Sequence, residues 1–534
     1  MVFRKVDRPA VKAALHAVPA ILAFALLAFQ LAVPWTVAHL HTQDGPSHVY
    51  GATVLSGLLL HHKTSVYSRL YTVQRAVLPN WTSTLVLAAA SAAAGPAHAE
   101  QIFFTLAILT GFLSWAYAKN AVSPQENRWS PVALFLYSTW FLWSAGYYNL
   151  YLGIALLPLA IGLYALKGGW LTPRRTAALA LLLLLLFATH VVAAASALAV
   201  LLTIAFWMHI VTPLSAGERW HARQIALSAL ACLPAIILLA IFAATVENGA
   251  TKLEPNIAAA WHAFPKHAFL TSRDDAQQFF AWKALLVCAA ISVLLFRRRE
   301  WASMKGAVAV AAAMLFAIYL LVPDEGLNGA DAKIRFGWAF FVVAGLVAMS
   351  AARLSWARIP VALLFTWCVW VNTVATQQTA AAVSNALGDY LAVANQIPEG
   401  ATFVRFRFPT PQLQERYNIV SIGRDPIFHL DAIVAAKRGA IDLSDYEAIV
   451  GIFPLLYKRS LNRDYLSTLW GFEGPDPAVQ KSFDWVSENF PARIDYALLV
   501  GDTDASRAMG SHLEATMQLA ADSPSHWFRL YRRR

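Results

Sequence analysis

The segment His41-Thr-Gln-Asp44-Gly-Pro-Ser-His48-Val-Tyr50 brings together the side chains best suited to chemistry in this chain. A carboxylate can take a proton from a hydroxyl group that it can reach, and nearby imidazoles can orient groups or ligate a metal. Gly45-Pro46 predicts a turn, after which the run from Ser47 predicts a new helix with Ser47 as its N-cap. Asp44 then sits at a defined place between two helices, although a solvated loop carboxylate is the ordinary alternative. His190 lies between two apolar runs, where a capping or core role competes with a catalytic one. Tyr147, Tyr148, Asn149 and Tyr151 cluster at a second tight turn and suit interfacial anchoring, a sugar face or a phosphate. Lys333 and Arg335 follow an acidic, Gly-containing stretch at 323–331. An interfacial Arg can simply snorkel, but its planar fork also fits a phosphate. His41, Tyr50, Tyr147 and Tyr148 complete the set as substrate-pocket candidates.

Other motif classes are empty. The sequence has no Walker loop, no Gly-rich dinucleotide fingerprint, no Cys or His pairs at zinc spacing and no G-x-S-x-G. Cys232, Cys288 and Cys368 all fall in apolar runs and read as core residues, with no disulfide framework.

The elements that position these residues are membrane helices. The chain of 534 residues is 58% hydrophobic and 14% charged, against about 25% charged for soluble proteins. The deficit is confined to residues 1–377, where uncharged runs long enough to cross a bilayer recur. They predict an all-α polytopic domain of about eleven transmembrane helices, at 13–39, 101–118, 131–146, 148–166, 176–190, 191–212, 224–246, 280–296, 306–322, 335–352 and 359–375. The basic start, Arg4 to Lys12, lacks a cleavage site after the first apolar run, which is therefore expected to be retained. The net charge of +11 does not point to nucleic acid, because Lys and Arg concentrate in short connections between spans. They favour one side by roughly two to one, which places the N-terminus in the cytoplasm. The opposite side carries loops 40–100, 247–279 and 323–334, with the Ala-rich stretch Thr82–Ala94 as a surface helix. Residues 378–534 regain charge and predict a small soluble α/β domain on that same outer side. Its expected strands are Ala401–Phe408, Tyr446–Phe453, Ile494–Val500 and His526–Tyr531, and its expected helices Asn385–Ile397 and Ser506–Ala521.

This order of parts resembles the GT-C superfamily of membrane glycosyltransferases, which use polyprenyl-phosphate-linked sugars. The resemblance is carried by an acidic residue early in a large first outer loop (Asp44), a Pro-led surface helix from Pro79, and a late span beginning near Arg335. The layout is similar to the aminoarabinose-transferase and protein-mannosyltransferase branches, with Asp44–His48 matching an Asp-Gly-Pro-x-His sequence of a bacterial set. Many members carry paired acidic residues in that loop, whereas Asp44 stands alone here, with His48 four positions on. The resemblance implies an inverting transferase at the periplasmic face of a bacterial inner membrane, with a lipid-linked sugar donor and an unspecified acceptor. It implies Asp44 as general base, His48 or His190 as orienting groups, Arg335 with Lys333 on the donor phosphate, and loop 247–279 as a mobile cover. A divalent cation is the one cofactor left open. A transporter or flippase for a lipid-linked or small solute, or a non-catalytic subunit of envelope-polysaccharide assembly, would suit the same composition. A transporter predicts ionisable residues near the bilayer midplane, whereas here they gather at span ends.

The charge bias predicts a periplasmic domain beyond Gln378. Phosphatase fused after that residue should be active and a fluorescent-protein fusion dark. Fluorescence without phosphatase activity would reverse the topology.

Overall fold

A computed structural model of the protein describes residues 8–40, 42–61, 64–124, 131–137, 140–211, 218–245, 257–267, 275–323, 331–348, 358–408, 415, 427–458, 477–489 and 493–534. The chain forms two compact units. The first comprises residues 1–33, 104–142 and 149–376, and the second comprises 34–103, 143–148 and 377–534.

The first unit is helical. Its helices are α1 (Arg8–Ala32), most of α4 (Pro96–Val122), α5 (Pro131–Tyr137), α6 (Trp140–Ser144, its first residues), α7 (Tyr148–Ala165), α8 (Pro173–Thr189), α9 (Val191–Phe206), α10 (Glu218–Thr245), α11 (Ile257–His267), α12 (Asp275–Leu294), α13 (Arg298–Trp301), α14 (Met304–Leu321), α15 (Ala332–Ala348) and the start of α16 (Arg358–Ala394). Among the described residues, five helical segments are long and apolar enough to cross a membrane: Pro96–Val122, Tyr148–Gly169, Val191–Val211, His221–Thr245 and Met304–Leu321. Several other expected spans form shorter apolar helices, among them Trp282–Leu294. On α10, Leu230, Leu233, Ile236, Ile237 and Ile241 are all exposed. A stripe of that kind is unfavourable in water and natural against hydrocarbon, so the chain is a multi-pass membrane protein.

The second unit joins the first loop to the C-terminal part. It contains α2 (Gly45–Leu60), β1 (Tyr71–Val73), α3 (Trp81–Ala94), β2 (Thr402–Arg407), α17 (Leu430–Arg438), β3 (Ile441–Asp442), α18 (Tyr446–Val450), β4 (Leu455–Tyr457), α19 (Pro477–Asn489), β5 (Tyr496–Val500), α20 (Asp504–Leu513), β6 (Met517–Asp522) and β7 (Phe528–Arg533). A five-stranded sheet runs in the order β3-β2-β5-β7-β6, with β3, β2 and β5 parallel and β7 antiparallel to both of its neighbours. β2 is buried along its whole length, as expected of a central strand in a covered sheet. A separate antiparallel pair joins β1 to β4, Tyr71 opposite Tyr457 and Val73 opposite Leu455. The loop at 40–100, expected as an appendage of the membrane helices, thus packs with residues 377–534.

Four local expectations change. The helix after the Gly-Pro turn starts at Gly45 with Asp44 at the N-cap position, so Ser47 lies inside its first turn. Pro46 tolerates that place because the first helical N–H groups have no intrahelical partner anyway. Tyr446–Phe453 forms the short helix α18, because the Asp445 side chain accepts from the Glu447 N–H at 3.2 Å and Gly451, at φ 77°, ends the helix. Ser506–Ala521 divides into α20 and β6, the latter pairing with β7 along the sheet edge. Asn385–Ile397 is not a separate helix, since Asn385–Ala394 continues α16, a single helix of 37 residues.

Candidate functional site

In the second unit the turn carrying Asp44 is gripped by backbone and buried polar groups. The Gln43 and Asp44 N–H groups donate to the carbonyls of Ser144 (2.8 Å) and Ala145 (3.3 Å). Gly146 holds φ +74°, and a Cβ there would lie 2.5 Å from Gly45 N and 2.7 Å from Asp44 N, so only glycine permits this approach. Just before the turn, the Thr42 hydroxyl meets Glu100 Oε1 at 3.2 Å and Tyr148 Oη at 3.1 Å. Tyr148 also donates to Glu100, and all three residues are buried. This knot satisfies a buried carboxylate that would otherwise be costly.

Asp44 itself remains accessible, its side chain 18% exposed. The carboxylate does not cap α2. Its Oδ1 accepts from Gln43 Nε2 at 3.1 Å and lies 3.8 Å from His429 Nε2. The imidazole of His48, one turn along α2, forms a buried ion pair with Glu447 of α18. Burial opposes charge on His48, but the Glu447 carboxylate, Asp44 and the Gly146 carbonyl outweigh it and raise its pKa above the ordinary 6.5. Gly51, one turn further on, leaves room for Glu447, since a Cβ there would strike its Oε2.

Tyr50 points elsewhere. It is fully buried, bonded to Tyr71 Oη (3.1 Å) and accepting from the Asp442 N–H (3.0 Å). Tyr71 and Tyr457 both donate to the Asp442 carbonyl, at 2.9 and 3.0 Å. This tyrosine cluster ties α2 and β1 to the C-terminal sheet. Tyr147 is half-buried, and its hydroxyl adds to the electrostatic environment of Tyr446. His41 lies outside the described residues.

In the first unit His190 and Arg335 come together. His190 joins α8 to α9 and caps α9, its Nδ1 accepting from the Val192 N–H at 3.1 Å. Its Nε2 lies 3.2 Å from the Arg335 guanidinium at the start of α15. A neutral imidazole has one acceptor nitrogen and a protonated one has none, so His190 can satisfy at most one of these two donors. The Lys333 ammonium is buried against the end of α14, donating to the Val322 carbonyl and, at 3.5 Å, to that of Leu320. That position suits a cation at a helix C-terminus.

Sequence reasoning brought Asp44 and His48 to one turn and paired no partner with either. Glu447 and His429 were missed, Glu447 lying 399 positions from His48. Glu100 was missed because it stands at the edge of an apolar run. Of loop 247–279, residues 257–267 form α11, while 247–256 and 268–274 lie outside the described residues. Among the described residues, no three His, Cys, Asp or Glu side chains gather into a group that could hold a metal ion.

No family model matches the chain, and no curated protein matches it. Among solved structures, ArnT from Cupriavidus metallidurans bound to undecaprenyl phosphate is similar over 98% of this chain and 98% of its own, at 13% identity and a TM-score of 0.47. The oligosaccharyltransferase of Archaeoglobus fulgidus in complex with zinc and sulfate is similar over 96% of this chain and 73% of its own, at 10% identity and a TM-score of 0.47. At that score both are likenesses only.

The His48–Glu447 pair makes the second unit sensitive to pH. A group whose pKa is raised on folding stabilises fully below its unfolded value, here near 6.5, and loses that contribution as pH rises through the folded value. Thermal unfolding in detergent should therefore show the second unit losing stability on the alkaline side of pH 6.5. Glu447→Gln should lower stability by about 3–5 kcal/mol, the scale for breaking a buried ion pair, and flatten that alkaline slope. Equal slopes in wild type and variant would mean that the pair does not control it.

Proposed function

We propose that this protein is an integral membrane glycosyltransferase of the GT-C kind. It moves a sugar from a polyprenyl-phosphate donor to an acceptor at the periplasmic face of a bacterial inner membrane. The observation that carries this reading is the His190–Arg335 pair. Two N–H donors converge on an imidazole that can accept from only one of them. A phosphate oxygen beside the guanidinium and an Nε2–H would accept from both, while Nδ1 kept its cap on α9. The sequence resemblance at Asp44–His48 and near Arg335 supports the same assignment.

The chemistry is a displacement at the anomeric carbon. The acceptor oxygen forms a bond to that carbon while its bond to the donor phosphate breaks. The electron pair leaves with polyprenyl phosphate, and the acceptor proton goes to the Asp44 carboxylate. Arg335, with His190 beside it, stabilises negative charge as it grows on the phosphate. Asp44 suits the base role because its carboxylate is partly exposed while its backbone is held on both sides. His48, paired with Glu447, maintains the turn. Lys333 steadies the entry to α15 from the end of α14.

Purified protein in detergent micelles, incubated with a pool of polyprenyl-phosphate sugars and an envelope extract that supplies acceptor hydroxyls, tests the reading. A catalyst releases polyprenyl phosphate there, whereas a transporter has no compartments to act between. Asp44→Asn should cut release by roughly a hundredfold or more, the scale of general-base catalysis, at near-unchanged thermal stability. Equal release by both proteins would remove Asp44 from the mechanism. No release by wild type with any donor would favour a transporter or an assembly subunit.

A further inference from the structure

We propose that His429 is a positioning residue for Asp44, its Nε2–H donating to the Asp44 carboxylate and favouring the ionised, proton-accepting form. This rests on the reading of Asp44 as the base. His429 belongs to the C-terminal part of the second unit, at the N-cap position of α17, yet its side chain makes no capping hydrogen bond. The ring is buried instead, with Nε2 3.8 Å from Asp44 Oδ1. That separation is roughly 0.6 Å beyond the usual upper limit for an N–H···O bond. A closer approach of that size would bring the Nε2–H within hydrogen-bonding reach of the Asp44 carboxylate.

Two rings fix the imidazole plane. Tyr446 of α18 stacks on it with centroids 5.0 Å apart and planes at 27°. Phe428 meets it edge-on at 4.5 Å and 90°. The charged groups around it come from every packed element. Arg405 and Arg407 approach from β2, His48 from α2, and Asp44 from the turn before α2. Asp431 of α17 takes up Arg405 at 2.7 Å, and Tyr446 also feels Glu447 and Asp445 of the α18 turn and Tyr147. Burial, followed by Arg405, His48 and Arg407, pushes the His429 pKa well below its ordinary value. The ring is thus a neutral donor that does not compete with Asp44 for the acceptor's proton. A hydrogen bond to the charged form of a carboxylate favours that form. Losing it should raise the Asp44 pKa and move the acidic limb of turnover upward.

The test compares wild type, His429→Phe, His429→Gln and Asp44→Asn across pH 5–9 in the micelle assay. Isotope-edited infrared spectroscopy follows, in parallel, the carboxylate band that Asp44→Asn removes. His429→Phe should keep the high-pH rate within a few-fold of wild type. Its acidic limb and its Asp44 band should both titrate about one pH unit higher, a shift equivalent to a tenfold change in equilibrium constant. His429→Gln, which retains a donor, should return part of the shift. Superimposed wild-type and His429→Phe titrations would overturn the proposal. If His429→Phe does not fold, His429→Met removes the donor at similar volume and is judged by the same two curves. Turnover by Asp44→Asn equal to wild type would sink the base reading on its own terms. If wild type releases nothing, the infrared titration alone decides whether His429 sets the state of Asp44.

Discussion

A carboxylate can act as a base at a defined place only if the backbone that carries it is immobile, and the turn at 42–48 meets that demand. Gly146, in a conformation that other residues rarely adopt, lets one backbone segment lie directly against Asp44 and Gly45. Thr42, Tyr148 and Glu100 satisfy one another immediately upstream. His48 and Glu447 do the same immediately downstream. Each buried polar group left unpaired here would cost about 1–3 kcal/mol. With both flanks satisfied, Asp44 is the member of the turn that keeps a partly exposed carboxylate.

That arrangement makes the C-terminal part more than an appended soluble module. Glu447 and His429 both come from it, as do Tyr457 and the Asp442 backbone that receive Tyr50 and Tyr71. The β1–β4 pair adds a backbone seam between residues 71–73 and 455–457. The first loop and the C-terminal part therefore share one core, and a deletion in either removes partners from the other.

Much of the helical layout was legible because the physics is local. Long uncharged runs must be helical in a bilayer, whatever they pack against. Most expected spans overlap an observed helix, such as 176–190 with α8 and 306–322 with α14. Local patterning failed where capping decided the outcome. Asp445 and Gly451 turned the apolar stretch from Tyr446 into a short helix, and pairing with β7 pulled Met517–Asp522 out of a helical run. The site was half legible. Asp44 and His48 stood out by residue type, but Glu447 is 399 positions from His48, and nothing in either neighbourhood announces the other. His190 and Arg335 were separately visible, whereas their pairing across 145 positions was not.

The proposed transfer requires Arg335 and His190 to hold a phosphate. A cryo-electron microscopy reconstruction of the wild-type protein with added polyprenyl phosphate addresses this directly. Phosphate density is expected within hydrogen-bonding distance of the Arg335 guanidinium and His190 Nε2. Phosphate density elsewhere, with Arg335 still resting on His190, would contradict it.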